Sequence, residues 1–137
     1  MPSKHEKLIR GFHEIRKAND GAAVEAQFTD DAEFGVNGAP MEGGVACHIC
    51  GRDEFSPVLH RLAEDFSWDD IEFHEFADVG DDTDVVFVRY TLKTTYQPTG
   101  RKLDLTIVDR MEIRGDRIAH MVQFVDTAEI NAVLAGA

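Results

Sequence analysis

The chain has 137 residues, a hydrophobic fraction of 43% and a formal net charge of −12. This length and composition are typical of one globular domain and argue against intrinsic disorder. The negative charge disfavours binding to nucleic acid and to anionic membranes, which would repel it. No apolar run approaches the roughly 20 residues of a transmembrane helix, and no apolar segment of a signal peptide follows the N-terminus. We therefore expect a single cytoplasmic domain over residues 1–137.

Helical patterns dominate the first half of the chain. Ser3 and Glu6 form a capping-box pattern, and a stripe of apolar residues follows it: Leu8, Ile9, Phe12 and Ile15. Asp20 is expected to cap a second helix, and Pro57 is expected in the first turn of a third. The predicted elements are a helix over 4–18, a helix over 22–28, a strand over 32–36, a hairpin or irregular loop over 37–51, and a helix over 53–66.

Strand patterns dominate the second half. Valine, phenylalanine and threonine are frequent, and Gly115-Asp116 is a two-residue loop suited to a type II′ hairpin. The predicted strands cover 71–79, 84–95, 103–114 and 117–125, and a short helix over 127–134 closes the chain. Helices followed by a meander of long strands indicate an α+β fold, a cone-shaped domain with three N-terminal helices packed on a strongly curved antiparallel or mixed sheet that encloses a pocket.

The two cysteines form the pattern Cys47-His48-Ile49-Cys50. A CxxC pattern is redox-active at the start of a helix, or supplies half of a zinc site. Because no second CxxC and no HxxxH pattern accompanies it, we expect a structural pair of reduced thiols, with a redox or metal role as the alternative. No metal or organic cofactor is predicted.

Several segments resemble one known family. Residues 108–118 read VDRMEIRGDRI and are similar to a hairpin motif V-D-x-F-R-F-x-D-G-K-I, with Gly-Asp in place of Asp-Gly. Residues 28–32 (FTDDA), 51–54 (GRDE) and 124–126 (FVD) match further motifs loosely. Together with the order of elements, they resemble the nuclear transport factor 2-like superfamily and, within it, the SnoaL-like and ketosteroid-isomerase-like proteins. The resemblance implies the cone-shaped fold, and a range of activities that includes isomerases, aldol cyclases, epoxide hydrolases, dehydratases and ligand-binding members.

Strand alternation predicts which side chains face the pocket. If Arg114 pairs with Arg117 across the loop, Asp109 lies opposite Val122 and His120 is its diagonal neighbour. The face predicted to point at the helices carries Leu105, Ile107, Asp109, Met111 and Ile113, with Ile118, His120, Val122, Phe124 and Asp126 from the partner strand. A carboxylate in such apolar surroundings must be paired or protonated, and both states suit acid–base catalysis. A structural carboxylate bonded to a buried partner is the alternative.

Two further residues are candidates for the site. Tyr90 lies on the more apolar face of its strand and is suited to donating a hydrogen bond to an oxyanion, although a packed structural tyrosine fits equally. Asp126 stands where, by the resemblance, SnoaL-like enzymes have an acid–base aspartate. It also stands three residues before Glu129, which is the spacing of a helix cap. The first predicted helix lacks the essential tyrosine of ketosteroid isomerases, so the SnoaL-like pattern fits better.

The leading functional hypothesis is a small enzyme, an isomerase, cyclase or lyase, that transfers protons on an apolar carbonyl-bearing or cyclic substrate. Asp109 would be the acid or base, assisted by His120, Tyr90 or Asp126. The alternative is a non-catalytic ligand-binding or dimerising module of the same fold. A homodimer is expected through the outer sheet face, with Val108, Met121 and Val125 as candidate contacts.

Overall fold

The computed structural model describes residues 3–136. Over this range the elements are, in chain order, α1 (Glu6–Arg16), α2 (Gly21–Glu25), β1 (Phe28–Val36), β2 (Cys47–Cys50), α3 (Arg52–Asp65), β3 (Phe66–Asp78), β4 (Val85–Tyr96), β5 (Arg101–Arg114), β6 (Arg117–Phe124) and α4 (Thr127–Leu134). The predicted α+β class is confirmed, although α3 follows two strands and does not precede the sheet. None of these helices has the length and apolar character needed to cross a membrane.

The strands form one mixed sheet in the order β2-β1-β6-β5-β4-β3. All neighbours are antiparallel except β1 and β6, which run parallel. Strict alternation of buried and exposed positions along β5 shows that one face of the sheet is covered and the other is open. We call the covered face, which carries Leu105, Ile107 and Met111, the inner face, and the opposite one the outer face.

Several element boundaries differ from the predicted ones because tertiary pairing overrides local pattern. β2 lies inside the predicted loop and pairs with β1. β3 starts at Phe66, immediately after α3, because Phe66 pairs with Tyr96 of β4. Pro57 lies in the second turn of α3, not in the first. Phe55 and Leu59, two residues before and after Pro57, are both buried in the core.

The predicted register of the last hairpin is right at its turn and wrong beyond it. Gly115 has φ +66, as the first position of a type II′ loop requires, and Arg114 pairs with Arg117. A β-bulge at Ala119 then adds one residue to β6, because Ile113 pairs with Ile118 but Glu112 pairs with His120. One extra residue reverses the faces of everything that follows it on the strand.

The bulge changes which side chains of β6 point at the helices. Asp109 lies opposite Gln123, not Val122. Met121, Gln123 and Val125 line the interior, whereas His120 and Phe124 belong to the outer face. The predicted inner positions of His120, Val122 and Phe124 are therefore wrong, as are the predicted outer positions of Met121 and Val125.

Candidate functional site

A largely apolar cavity of about 100 Å³ lies between the helices and the inner face. The polar side chains that line it are His13, Arg16, Gln27, Thr94 and Gln123. Its apolar wall includes Phe12, Phe34, Leu62, Trp68, Leu92, Ile107, Met111, Met121 and Ile130. Such a space admits apolar groups and leaves few positions at which a polar group finds a partner.

Asp109 is fully buried between Ile107 and Met111 on β5, as the alternation predicted. The hydroxyl of Tyr90 donates a hydrogen bond of 2.7 Å to its Oδ2. Its other oxygen, Oδ1, is buried and has no hydrogen-bond partner among residues 3–136. Burying a carboxylate with one oxygen unsatisfied is costly, which makes Asp109 a candidate functional residue.

His13 of α1 is the other titratable group beside this carboxylate. Its Nδ1 lies 2.8 Å from the carbonyl oxygen of Ile9, so Nδ1 carries the proton and donates it. Its Nε2 lies 3.8 Å from Oδ2 of Asp109, within ion-pair range but too far for a direct hydrogen bond. Three aromatic rings surround the imidazole with centroids 4.9–5.1 Å away, those of Trp68, Phe73 and Tyr90. They fix its orientation.

The electrostatics of this group of residues follow from burial. Burial, and then the neighbouring carboxylate of Asp109, raise the pKa of Tyr90 well above its usual value. Tyr90 is therefore a hydrogen-bond donor throughout the physiological pH range. Gln123 adds a second polar group, because its Nε2 lies 3.5 Å from the Tyr90 hydroxyl. We call Asp109, Tyr90, His13 and Gln123 the polar cluster.

Arg16 places a partly buried positive charge on the same cavity wall. It donates hydrogen bonds to the carbonyls of Leu62, Ala63 and Phe66, at the C-terminal end of α3. Its guanidinium also lies 4.9 Å from the centroid of the Trp68 ring. Burial lowers the pKa of Arg16 to about 10, which leaves it charged at neutral pH. The unpaired carbonyls at the end of a helix are natural partners for such a cation.

The structure brings together two of the four predicted site residues. Asp109 and Tyr90 are in direct contact, as described above. His120 is on the outer face, because of the bulge, and its Nε2 lies 3.6 Å from Glu33 Oε2. Asp126 is exposed and caps α4, accepting a hydrogen bond of 3.1 Å from the backbone N–H of Glu129. Neither His120 nor Asp126 lines the cavity.

Sequence reasoning missed His13 and Gln123. His13 stands one turn after Ile9 and next to Phe12, both buried, so the helical stripe contained the signal. The predicted stripe instead included Ile15, which is 42% exposed. Gln123 was predicted on the outer face because alternation in the sequence does not reveal the bulge.

The two cysteines lie on one strand and point to opposite sides of it. Both are free thiols on β2, and strand alternation places them on opposite faces, with Cys47 packed against the core and Cys50 exposed. Burial, and for Cys50 also the carboxylate of Glu33, raise the pKa of each thiol. A redox-active CxxC needs a lowered thiol pKa at a helix N-terminus, so these raised values favour the predicted pair of reduced thiols, which stays a prediction.

Solved structures of several proteins are similar to this chain. A candidate isomerase from Bacillus subtilis superimposes with a TM-score of 0.82, at 15% identity over 96% of this chain and 92% of that one. A nuclear transport factor 2-like protein of unknown function from Burkholderia pseudomallei has a TM-score of 0.74, at 19% identity over 96% and 98% of the two chains. An LEH-like epoxide hydrolase of M. tuberculosis has a TM-score of 0.67, at 16% identity over 95% and 88%. At these identities the likeness shows a common fold.

A comparison of the sequence with family models identifies the family. No curated protein matches the chain. A family model described as the SnoaL-like domain matches residues 9–121, a range that includes His13, Tyr90 and Asp109. The resemblance seen in the motifs is therefore confirmed, and the chain belongs to the SnoaL-like domain family.

Proposed function

We propose that this chain is an enzyme that transfers a proton on a small apolar substrate, in an isomerisation, cyclisation or hydration. One observation carries the proposal. The carboxylate of Asp109 is fully buried and accepts a hydrogen bond from Tyr90. It lies 3.8 Å from His13, which lines an apolar cavity. Buried titratable groups that share a cleft are typical of catalytic sites.

His13 is the member of this group that reaches the substrate. Both His13 and Gln123 line the cavity, whereas Asp109 and Tyr90 lie behind them. Since Nδ1 donates to the Ile9 carbonyl, a neutral His13 presents the lone pair of Nε2 toward the carboxylate. Nε2 is thus the free base of His13, and the carboxylate 3.8 Å away would balance the charge of the imidazolium that it forms. The pair therefore suits both removal and return of a substrate proton.

Asp109 and Tyr90 would support this proton transfer without contacting the substrate. The carboxylate stabilises the imidazolium that forms when His13 takes a proton, and Tyr90 holds the carboxylate in place with its hydrogen bond of 2.7 Å. Gln123 supplies an amide at the cavity wall for a carbonyl or alkoxide oxygen of the substrate. These groups complete a proton transfer without a metal or organic cofactor.

The cavity limits the class of substrate. Its volume of about 100 Å³ is an order of magnitude above the minimum that holds one water molecule, and below the 300 Å³ or more typical of pockets for drug-sized ligands. The wall offers aliphatic and aromatic carbon with few polar groups. A small cyclic ketone, enone or epoxide fits these limits. The isomerase and epoxide hydrolase activities in the names of similar structures belong to the same general class of chemistry.

A second candidate function is ligand binding without chemistry. The observation that favours it is the position of Asp109 and Tyr90, neither of which lines the cavity. On this alternative the polar cluster would orient a bound apolar molecule through His13 and Gln123 only. The experiment below separates the two functions, because a binding module would show affinity without turnover.

We also propose that two copies pair through the outer face. Phe87 and Phe124 are 37% and 40% exposed there, and Val108, which pairs with Phe124, lies between them. A patch of this kind is self-complementary across a twofold axis. Light scattering after size exclusion should give a dimer mass for the native chain and a monomer mass for Phe124→Asp; a native monomer would contradict this proposal.

The test of catalysis is an exchange and turnover assay. The chain is incubated in deuterated buffer with a panel of cyclic ketones, enones and epoxides, and NMR follows isotope exchange, isomerisation and ring opening. We expect turnover of at least one compound, reduced about 100-fold or more by Asp109→Asn and by His13→Gln. Asp104→Asn is the matched control, since Asp104 is an exposed aspartate on the opposite face of the same strand. Turnover that survives both cluster substitutions would refute the assignment.

A further inference from the structure

Four side chains that commonly bind metals lie together on the outer face, on the opposite side of the sheet from the cavity. Glu33 of β1 pairs with Cys50 of β2 on one side and with His120 of β6 on the other. His48 lies two residues before Cys50 on the same face of β2. We call Glu33, His48, Cys50 and His120 the outer cluster.

The distances within the outer cluster suit a tetrahedral ion. Oε2 of Glu33 lies 3.6 Å from Nε2 of His48 and 3.6 Å from Nε2 of His120. The ligand atoms of Glu33, His48 and Cys50 all lie within 4.8 Å of one another. Zinc bonds of about 2.0–2.3 Å place tetrahedral ligand atoms about 3.3–3.6 Å apart. The two distances from Glu33 to the imidazole nitrogens are thus near the required separation. The rings of His48 and His120 have centroids 6.3 Å apart, so an ion would draw the four side chains closer together.

One ligand atom in the outer cluster is unsatisfied. Nε2 of His120 is buried and has no hydrogen-bond partner in the described part of the chain. The Glu33 oxygen at 3.6 Å is beyond hydrogen-bonding distance. Buried polar atoms are normally paired, so this nitrogen is available for a bond that an ion would supply.

Gly35 lies beneath the imidazole of His48. It is the residue of β1 that pairs with His48. A Cβ at this position would lie 3.1 Å from the carbonyl oxygen of Cys47, which is a tight contact, and 3.5 Å from Cδ2 of His48, which is an ordinary one. The imidazole of His48 thus packs over β1, and its Nε2 comes within 3.6 Å of Glu33 Oε2.

We propose that the outer cluster binds one Zn²⁺ ion through the Cys50 thiolate, the imidazoles of His48 and His120, and the Glu33 carboxylate. Sulfur and nitrogen donors select zinc over magnesium and calcium, which prefer oxygen donors. Cys47 takes no part, because it lies on the opposite side of β2 and packs against the core. The CxxC pattern thus supplies Cys50 and the His between the cysteines, not the usual pair of thiolates.

The ion would stabilise the pairing of the edge strand β2 with the rest of the sheet. β2 has only four residues and pairs with β1 alone. A zinc ion held by β2, β1 and β6 would cross-link three neighbouring strands, and binding to the folded state alone would stabilise it. This consequence is independent of the proposed catalysis, because the cavity is on the other face.

The test uses the full chain without an affinity tag, reduced and stripped of metal with a chelator. Zn²⁺ is titrated in competition with a chromophoric chelator, and Co²⁺ is used as a spectroscopic probe. We expect one Zn²⁺ per chain, tetrahedral Co²⁺ absorption with a thiolate charge-transfer band, and a higher melting temperature with Zn²⁺. Cys50→Ser should abolish the charge-transfer band, and His120→Gln should weaken Zn²⁺ binding at least about tenfold.

Cys47→Ser is the matched control and should retain both the band and the affinity. Circular dichroism checks that each variant is folded, and Glu33→Gln replaces His120→Gln if that variant does not fold. The proposal is overturned by the absence of stoichiometric binding, by binding that Cys50→Ser leaves unchanged, or by an equal loss in Cys47→Ser.

Discussion

The hydrogen bond between Tyr90 and Asp109 gives the sharpest test of the polar cluster. Tyr90→Phe removes one oxygen atom and leaves the ring in place, so packing changes little. It also removes the only hydrogen bond to Asp109 that the described residues provide, since Oδ1 is already unsatisfied. A hydrogen bond to a charged group contributes about 1.5–3 kcal/mol to stability. We therefore expect Tyr90→Phe to lower the free energy of unfolding by about 2 kcal/mol.

The measurement is urea denaturation followed by circular dichroism, in a double-mutant cycle with Asp109→Leu. With leucine at position 109 there is no carboxylate to satisfy, so the loss caused by Tyr90→Phe should shrink to about 0.5 kcal/mol or less. Tyr96→Phe is the matched control, because Tyr96 is a buried tyrosine of the same strand whose ring packs on Phe66. An equal loss from Tyr90→Phe in the native and Asp109→Leu backgrounds would show that the two residues are not coupled and refute the reasoning.

Three other predictions concern stability. The pKa of Tyr90 in the folded state is raised well above 10.0, so the stability that the neutral phenol contributes is complete below pH 10 and is lost as the pH rises above it. The midpoint of urea denaturation should therefore fall less steeply above pH 10 in Tyr90→Phe than in the native chain. Asp126→Ala should lower the free energy of unfolding by about 1 kcal/mol, as loss of a helix cap does, whereas Asp126→Asn should keep most of the native stability. An unchanged urea midpoint in Asp126→Ala would contradict the capping role of Asp126. Arg16→Lys should cost about 2 kcal/mol, because an ammonium group does not span the three carbonyls that the guanidinium binds. A thermal shift below about 2 °C would contradict that expectation.

The sequence predicted the architecture well because the long strands carry a strong pattern. Along β5, alternate residues from Leu103 to Ile113 are all buried, and Asp109 is conspicuous among them. The family motifs and the α+β order led to the same fold, which the SnoaL-like match confirms.

The candidate site was predicted only in part, for two physical reasons. Gly115-Asp116 set the start of the register, but β6 pairs with β1 as well as with β5, and the bulge at Ala119 left no signal in the alternation. His13 comes from a helix that is distant in sequence, and only tertiary packing puts it 3.8 Å from Asp109. Local pattern contains neither kind of information.

The bulge at Ala119 also determines how easily this site can change over evolution. It is one residue long, and without it the strand would return to regular pairing with β5. Deleting the codon for Ala119 would remove the extra residue and keep the partners beyond it, with Gln123 opposite Asp109 and His120 opposite Glu112. Loss of the bulge at constant chain length would instead shift those partners by one residue, placing Val122 beside Asp109 and His120 on the cavity side. A change of register, with no substitution, would thus rewrite the polar groups of the cavity and dismantle the outer cluster in the same step.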